Sequence, residues 1–510
     1  MDVRTPPAPP TGADHDGHAA HGVERADVAA VGSVAYRKLY KKREPIYPKT
    51  AQGAFRRAKW AIVVALLGIY YVTPWIRWDR GPGRPDQAVL VDFEGRRFWF
   101  GPIELWPQEV YYVTGLLILA ALSLFLFTSL FGRVWCGYAC PQTVWTDLYL
   151  FVERRIEGDR AAQIRLAKQG WTPSKIGKKA LKHAAWIAIA AATGGAWVFY
   201  FGDAPSLARG IFSGSASPVI YGFVGLLTFT TYALAGTMRE QVCTYLCPWP
   251  RIQAAMMDEQ SLTVTYRTDR GEPRGSHRKG ETWDGRGDCI DCKQCVVVCP
   301  QGIDIRDGLQ LECINCALCI DACDSVMEKI GRPKGLIAYD TDLNIARRAK
   351  GEPPRFDFLR YRTAIYALSI AGVAALMLYS LATRQTLHLS VIRDRNPAFV
   401  MLSDGSVRNG YALKIVNMEP RAREVEIAVE DAPDAVITIP GAHLADGAVH
   451  LNLAPDAVTE THIFVALQAA ALDEERTEIA FRLTDKASGQ TDRHETAFLS
   501  GGRHERDDER

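Results

Sequence analysis

Apolar residues are concentrated in five long runs of the chain, whereas polar residues dominate the segments between them. A helix needs about 20 residues to cross the hydrocarbon core of a bilayer. Each run approaches that length and has Arg, Lys or Trp near its ends, as is typical of membrane helices, whereas helices of soluble cores are usually amphipathic. The pattern predicts five transmembrane helices, at Trp60–Ile76, Val110–Phe131, Leu181–Phe201, Pro218–Met238 and Ala364–Thr383.

Toward the C-terminus the pattern changes to short runs in which apolar and polar residues alternate. Alternation with a period of two is typical of strands that bury one face. About seven such runs follow one another, and we interpret Asp404-Gly405 and Asn409-Gly410 as turns between them. The pattern therefore predicts an immunoglobulin-like sandwich at 385–500, followed by a charged tail at 501–510.

Basic residues are distributed unevenly over the loops between the predicted helices. Nine Lys or Arg lie at 37–59 and nine at 133–179, but only Arg209 lies at 202–217. Loops rich in Lys and Arg stay in the cytoplasm. We expect a multi-pass protein of the bacterial inner membrane with its N-terminus in the cytoplasm and, because five is odd, its C-terminal domain in the periplasm. With 60 basic and 58 acidic residues, the chain has no overall field that would attract nucleic acid.

The first 45 residues are polar, contain several prolines and carry His15, His18 and His21. Such a composition is typical of disordered segments, so we predict a disordered cytoplasmic tail. It has no apolar core of a signal peptide, and we expect the first helix to act as the targeting signal. Two interpretations of these histidines stay open: they bind a metal weakly, or they bind no metal. His183, at the start of the third predicted helix, is interpreted as an interfacial residue.

Eight of the twelve cysteines form two runs, each with spacings of two, two and three. The first run ends in Cys299-Pro300 and matches the bacterial ferredoxin pattern, in which the fourth cysteine binds the other cluster. The second ends in Cys323-Asp324, and the missing proline predicts a looser turn there. We assign Cys289, Cys292, Cys295 and Cys323 to one [4Fe-4S] cluster, and Cys299, Cys313, Cys316 and Cys319 to a second.

Two other interpretations of these eight cysteines are less well supported. Zinc sites usually pair two C-x-x-C units across a longer gap instead of crowding three cysteines together. Disulfides are not expected either, because all twelve cysteines fall on the cytoplasmic side of the predicted topology, which is reducing.

The remaining cysteines form two copies of C-x-x-x-C-P, at 136–141 and 243–248, after the second and fourth predicted helices. A spacing of four places two thiols on one helical face, and proline favours a new helix after the second cysteine. A helix N-terminus lowers the pKa of a thiol, so we expect a lowered pKa there. A Cu(I) site, redox dithiols and plain packing all stay open. The candidate catalytic and copper-binding residues are Cys136, Cys140, Cys243 and Cys247.

A resemblance to a known family rests on four features in order. They are GRVWCGYACPQTVWTDLYLFVERRIEGDR, then REQVCTYLCPWPRIQAAMMD with LTVTY, the double ferredoxin run, and RNPAFVMLSDGSVRNGYALKIVN. Over about residues 35–500 the chain resembles the cytochrome c oxidase accessory proteins CcoG, also called FixG or RdxA. The resemblance implies a five-helix iron-sulfur membrane protein that reduces Cu(II) to Cu(I) during maturation of cbb-type haem-copper oxidases. It also implies a copper-exporting ATPase and the oxidase assembly machinery as partners.

Together these features predict a multi-domain integral membrane protein with a five-helix transmembrane bundle, a cytoplasmic two-cluster ferredoxin-like α+β domain and a C-terminal all-β immunoglobulin-like sandwich. The predicted divisions are 1–45 for the tail, 46–260 for helices one to four with the C-x-x-x-C-P motifs, 261–361 for the ferredoxin-like domain, 362–384 for helix five, 385–500 for the sandwich and 501–510 for the end.

We predict an iron-sulfur electron-transfer protein with cupric reductase activity, loaded by an unidentified cytoplasmic electron donor. No Gly-rich dinucleotide motif follows a predicted strand, so direct binding of NADH is not expected. Two alternatives remain: a quinol-oxidising electron-transfer subunit of a respiratory chain, and a non-enzymatic redox-sensing scaffold. The pattern leaves a homo-oligomer open.

Overall fold

The computed structural model describes most of the chain and divides it into two units, one ending at Met377 and one beginning at Leu378. The residues described are 23, 25–26, 28, 30, 45–81, 83–278, 280–432, 435–439, 444–445, 448–468 and 475–500. His15, His18, His21 and the predicted charged end at 501–510 lie outside the described residues.

Within the described part of the chain, five helices are long and apolar enough to cross a membrane, and they coincide with the five predicted ones. The third begins earlier than predicted, at Pro173, because Thr172 caps it and accepts a hydrogen bond from the N–H of Lys175 at 3.3 Å. The first turns of this helix contain lysines, so they do not form part of an apolar run in the sequence. The five apolar helices, with their 3-10 or π extensions, are Ala54–Trp75, Pro107–Phe131, Pro173–Phe201, Pro218–Met238 and Tyr361–Ala382.

Shorter helices connect these five, and several of them carry cysteines of the ferredoxin runs and the C-x-x-x-C-P motifs. Two π-helical segments, Tyr232–Met238 and Val242–Leu246, follow α8. In chain order the α-helices are α1 Ala54–Val72, α2 Tyr111–Phe131, α3 Val134–Tyr138, α4 Pro141–Glu157, α5 Arg160–Lys168, α6 Pro173–Val198, α7 Ala204–Ser213, α8 Pro218–Thr231, α9 Trp249–Met256, α10 Thr268–Gly271, α11 Gln294–Val297, α12 Leu318–Lys329, α13 Asp342–Ala349 and α14 Tyr361–Ala382.

The first unit has two small antiparallel sheets. Strands β1 Val89–Asp92, β2 Arg97–Phe100 and β3 Ile103–Leu105 form one of them, between α1 and α2. Strands β4 Thr263–Tyr266 and β5 Ile337–Asp340 form the other. Because the cysteine runs lie between β4 and β5 in the sequence, this pairing closes the cysteine-containing segment at its two ends.

Part of the predicted disordered tail lies against the cysteine loops. The N–H of Ala26 donates to the carbonyl of Cys292 at 3.1 Å, and Arg25 forms an ion pair with Asp291. Val23 is buried in the same core. The prediction of disorder is therefore wrong for these described residues, because one apolar side chain in a polar segment is enough to dock it.

The second unit holds two β-sheets around one apolar core, in agreement with the predicted sandwich. One sheet has the order β10-β13-β8-β6, with β7 paired to β8, and the other has the order β11-β12-β9-β14-β15. The strands are β6 Leu387–Arg393, β7 Val400–Met401, β8 Ser406–Asn417, β9 Arg423–Glu430, β10 Val436–Thr438, β11 Leu444–Ala445, β12 Ala448–Leu453, β13 Ala457–Gln468, β14 Arg476–Asp485 and β15 Thr491–Leu499.

One of the two predicted turns is wrong. Gly405 does lie in a turn before β8, but Asn409-Gly410 lies inside that strand. The Asn409 side chain is buried, and its Nδ2 donates to the carbonyl of Leu499 at 2.8 Å. A cross-sheet hydrogen bond therefore accounts for this asparagine.

Candidate iron-sulfur and thiol sites

Four cysteines from both ferredoxin runs line one cavity, which we call the first cysteine cavity. Three come from the first run, and the fourth is carried by α12 at the end of the second run. Its thiols are those of Cys289, Cys292, Cys295 and Cys323. The remaining wall is largely apolar, with Tyr266, Val326 and Leu336 contributing to it. This cavity therefore brings together one of the two cysteine sets that the spacing predicts.

The other four cysteines line an adjacent cavity, the second cysteine cavity. They are Cys299, Cys313, Cys316 and Cys319. Cys295 of the first set borders this cavity as well, so the two cavities are neighbours.

The backbone has the same unusual conformation at equivalent positions of the two runs. Asp291 and Asn315, each just before the second cysteine of its run, have φ values of 53° and 52°. Lys293 and Ala317, each just after it, have φ values of 55° and 60°. Residues other than glycine rarely adopt positive φ. Such turns point backbone N–H groups inward and form concave sites that suit anions.

Burial raises the pKa of the Cys323 thiol well above its usual value, and Cys295, Cys292 and Cys289 raise it further. In the second cavity, burial raises the pKa of Cys319 well above its usual value, and Cys316 raises it further. Four thiolates held this close would repel one another unless a cationic group lay between them.

The donor set of both cavities fits iron-sulfur clusters. Among the described lining residues there is no His, Asp or Glu, so the metal donors are all sulfur, as in ferredoxin-type sites. Within the described part of the chain, no three His, Cys, Asp or Glu side chains are close enough to hold one shared metal ion. A [4Fe-4S] cluster does not need that arrangement, because its four cysteines bind four different irons.

Asp324 does not loosen a turn, as its replacement of the usual proline predicted. It lies within α12, which continues without a break to Lys329. Its Oδ1 accepts a hydrogen bond from the N–H of Gly335 at 2.8 Å. The residue after Cys323 is therefore helical, and its carboxylate fixes the loop that leads to β5.

The four cysteines of the C-x-x-x-C-P motifs, which we call the motif cysteines, converge from two separate segments. Cys136 lies in α3, and Cys140 is the N-cap residue of α4. Cys243 lies in the second π-helix and Cys247 follows it. Burial raises the pKa of Cys136 to about 12, with further contributions from Cys140, Cys243 and Cys247. The four thiols therefore lie near enough to influence one another's pKa, but no three of them are close enough to hold one shared metal ion, and each pair spans a helix end instead of sharing the face of one helix.

The position of Cys140 is as predicted, but the expected effect on its acidity is not. The backbone of Thr143 and Gln142 at the start of α4 favours the thiolate and acts to lower the pKa of Cys140, although no capping hydrogen bond reaches its side chain. Burial has the larger effect and raises the pKa of Cys140 overall. Burial likewise raises the pKa of Cys243 to about 12. Burial therefore disfavours the thiolate at both positions.

The motif cysteines lie directly against the second cysteine cavity. Cys136 packs against the buried cluster that contains Ile314 and Cys316. A Cβ on Gly137 would lie 2.6 Å from the carbonyl oxygen of Ile314, so only glycine fits there. The hydroxyl of Tyr138 donates to the carbonyl of Cys316 at 3.3 Å. One short helix therefore joins the two groups of thiols.

Two glutamines that the sequence analysis did not single out also contact motif cysteines. The Cys136 thiol donates to Oε1 of Gln253 at 3.2 Å, and the side chain of Gln301 lies beside Cys243 and acts to lower its pKa. Gln253 is fully buried. Gln301 follows Cys299-Pro300 closely and lines the second cysteine cavity. Their nearness to cysteine motifs in the sequence was the one signal that could have marked them.

A third cavity, which we call the charged cavity, adjoins Cys243. Asp147, Glu240 and Gln301 line it with oxygen-bearing side chains, together with Lys59 and other residues. The ammonium of Lys59 lies 3.0 Å from Oδ2 of Asp147. The cavity therefore presents both oxygen donors and a thiol to anything that enters it.

His183 lies apart from the cavities described above. Its Nδ1 is 2.9 Å from the hydroxyl of Tyr232, and its ring packs edge-on against Trp186. It does not line the charged cavity or either cysteine cavity. These contacts agree with the interpretation of a structural residue.

Comparison with known families matches three parts of the chain. The 4Fe-4S dicluster domain matches residues 238–342, and a 4Fe-4S binding domain matches residues 113–157. The immunoglobulin-like fold at the C-terminus of FixG, described as a putative oxidoreductase, matches residues 377–501. A crystal structure of a FixG-related protein from Vibrio parahaemolyticus is similar over 23% of this chain and 97% of its own, with 26% identity and a TM-score of 0.20.

Curated relatives match over most of the chain. The nitrogen fixation protein FixG of Rhizobium meliloti is 50% identical over 93% of this chain and 97% of its own. Protein RdxA of Cereibacter sphaeroides is 55% identical over 81% of this chain and 90% of its own. Protein RdxB of the same organism is 50% identical over 91% of this chain and 98% of its own. The chain is thus an iron-sulfur electron-transfer protein, and it belongs to the FixG/RdxA family.

Proposed function

We propose that this protein is a membrane cupric reductase that supports assembly of the copper centre of a cbb-type haem-copper oxidase. The observation that carries the proposal is the convergence of four motif cysteines beside the second cysteine cavity. A thiol group next to an electron-transfer site suits a metal whose reduced form prefers sulfur.

In this proposal the two cysteine cavities each hold one [4Fe-4S] cluster, through the cysteine sets that line them. When bound, such clusters supply transfer of one electron at a time. The protein contributes apolar walls that exclude water and, in both runs, backbone N–H groups directed at cysteine sulfur, from Gln294 to Cys292 and from Asn315 to Cys313.

Copper is the substrate, and the charged cavity provides its route. Cu(II) prefers oxygen and nitrogen donors, which Asp147 and Glu240 supply, whereas Cu(I) prefers the thiolates of Cys243 and its neighbours. Each Cu(II) takes up one electron and becomes Cu(I), and a low-potential one-electron carrier protein of the cytoplasm supplies that electron. Each thiol that binds Cu(I) as a thiolate releases the proton it carried.

The proposal includes the topology derived from the basic loops. The N-terminus and all twelve cysteines face the cytoplasm, and the sandwich at 385–500 lies in the periplasm. The other divisions are those predicted from the sequence, with the ferredoxin-like domain at 261–361 and helix five at 362–384. In this arrangement a copper-exporting ATPase would receive Cu(I) on the cytoplasmic side of the membrane.

The test replaces all four motif cysteines by serine in the full-length protein. Serine is a hard donor that binds Cu(I) poorly, so reduction of Cu(II) should be abolished while the iron content stays unchanged. Protein pre-reduced with dithionite and desalted would be mixed with Cu(II), and Cu(I) followed by a chromogenic chelator. His183→Gln, which changes a side chain outside the cavities, is the control and should keep the full rate.

Unchanged reduction per iron in the four-serine variant would overturn the assignment of copper chemistry to the motif cysteines. The quinol-oxidising alternative predicts a different result, namely rapid reduction of the iron-sulfur centres by a soluble quinol. A protein that is inert to quinol and loses cupric reduction with the four serines would support the proposal.

A further inference from the structure

A buried cation lies between the second cysteine cavity and the motif cysteines. Arg133, directly before α3, is 2% exposed. Its Nη1 donates to the carbonyls of Gln310, Leu311 and Cys313, and its Nη2 donates to the carbonyl of Pro250 at 3.1 Å. One guanidinium thus ties the loop of the second cavity to the segment after the second C-x-x-x-C-P motif.

No carboxylate neutralises this charge within the described part of the chain. All hydrogen bonds of Arg133 go to backbone carbonyls, and its Nε has no partner among the described residues. Burial lowers the pKa of Arg133. Cys313 and Cys136 act to raise that pKa, and Glu312 does so less strongly. A buried, unpaired charge is costly unless something of opposite sign lies near it. Of the groups able to carry negative charge, Cys313 and then Cys136 act on it most strongly.

The first cysteine cavity has a different electrostatic environment. Arg306 lies beside Cys295, but it forms ion pairs with Asp304 and Asp291, both at 2.6 Å. Asp324 adds a carboxylate near Cys323. The buried cation at the first cavity is therefore neutralised, whereas the one at the second cavity is not. Positive charge favours the more negative, reduced state of a centre and raises its reduction potential.

We infer that Arg133 makes the centre held by Cys299, Cys313, Cys316 and Cys319 the more oxidising of the two, and so orders the potentials from the first cavity toward the motif cysteines. The inference rests on the proposed iron-sulfur occupancy of both cavities, but it does not require that copper is the substrate. It assigns Arg133 as a positioning and tuning residue, since its guanidinium contacts carbonyl oxygens and not the cysteine sulfurs.

The experiment is a redox titration of the full-length protein, followed by EPR, with total iron as the measure of occupancy. The wild-type protein should show two midpoint reduction potentials, one for each centre. Arg133→Gln should lower the more positive one by at least the equivalent of a tenfold change in the reduced to oxidised ratio, about 59 mV for one electron, with unchanged iron. Arg133→Lys keeps the charge and should retain the wild-type midpoint. Asp291→Asn, the matched change at the first cavity, should raise the other midpoint.

The inference would be overturned if the more positive midpoint were the same in wild type and in Arg133→Gln at full iron content. It would also be overturned if Arg133→Lys shifted that midpoint as much as Arg133→Gln does. A shift confined to the more negative midpoint would overturn the proposed order. If Arg133→Gln lost iron, Glu312→Gln would decide instead. That change removes the nearby carboxylate without touching the carbonyl contacts, and it should raise the more positive midpoint; no change there would overturn the inference. Copper reduction is not measured, so failure here is separate from failure of the proposed function.

Discussion

The thiol of Cys136 donates a hydrogen bond to Oε1 of Gln253 at 3.2 Å, so the segment after the second C-x-x-x-C-P motif holds a cysteine of the first. Nε2 of Gln253 in turn donates to the hydroxyl of Thr128 at 3.3 Å. The amide oxygen is the neutral acceptor that a protonated thiol needs. A neutral amide oxygen also repels a thiolate less than a carboxylate in the same place would.

Gln253→Glu should therefore weaken Cu(I) binding at the motif cysteines by at least about tenfold, because a carboxylate there repels a thiolate. Affinity would be measured by competition with a Cu(I) chelator. Gln253→Leu is the neutral control: it should lose stability through the unpaired Thr128 hydroxyl, by about 1 to 3 kcal/mol, but keep the affinity within a few fold. Equal affinities in the Glu and Leu variants would contradict the prediction.

Cys299→Ser should damage the second cysteine cavity, although Cys299 belongs to the first ferredoxin run. We expect the loss of about four of about eight irons, and an EPR spectrum of the reduced protein without interaction between two clusters. Cys323→Ser should produce the complementary loss at the first cavity. If Cys299→Ser instead removed the centre of the first cavity, the crossed assignment would be wrong.

Asp147→Asn should destabilise the protein by about 3 to 5 kcal/mol, because it leaves Lys59 buried without its partner. Lys59 is 1% exposed, and Arg56 contacts the same carboxylate at 3.3 Å. Thermal unfolding in detergent would measure the loss. Glu352→Gln, which removes a partly exposed ion pair with Arg347, is the control and should cost no more than about 1 kcal/mol.

The same carboxylate predicts a loss of stability in acid. Burial alone would raise the pKa of Asp147, but Lys59 and Arg56 outweigh burial and lower it overall. A carboxylate whose pKa is lower in the folded state stabilises the fold above its unfolded pKa of about 4. That contribution is lost as the pH falls through the folded pKa. The wild-type advantage over Asp147→Asn should accordingly be constant from pH 5 upward and shrink below about pH 4.

Reporter fusions test the orientation of the chain. A reporter joined after Thr383 should be active only in the periplasm, and one joined after Gly271 only in the cytoplasm. The reverse pattern would place the cysteines on the oxidising side and remove the argument against disulfides.

Patterns with a fixed physical period could be predicted from the sequence. The five apolar helices and most strands of the sandwich follow from hydrophobic length and alternation, and the grouping of eight cysteines into two cavities follows from ferredoxin spacing. Strand β15 was missed because much of its sequence is polar and its side chains are largely exposed or half-buried. Asn409 was misread because only the folded sheets bring it to the carbonyl of Leu499.

The arrangement of the site could be predicted only in part. The new helix that begins after Cys140 was expected from the proline of the motif, but the π-helical segment that holds Cys243 was not. The pKa of Cys140 was misjudged because the helix N-terminus is a local effect, whereas burial depends on the whole fold. Arg133 and Gln253 act across more than a hundred residues of sequence, a relationship that no local pattern encodes.

Gly137 has a consequence for how the protein is made in the cell. Its lack of a side chain lets α3 sit on the carbonyl of Ile314, while α6 and α8 lie between these two residues in the sequence. The loop of the second cavity can therefore reach α3 only after both apolar helices have been synthesised and inserted. The contact between the cysteine loop and α3 thus becomes possible only once four of the five apolar helices have been made.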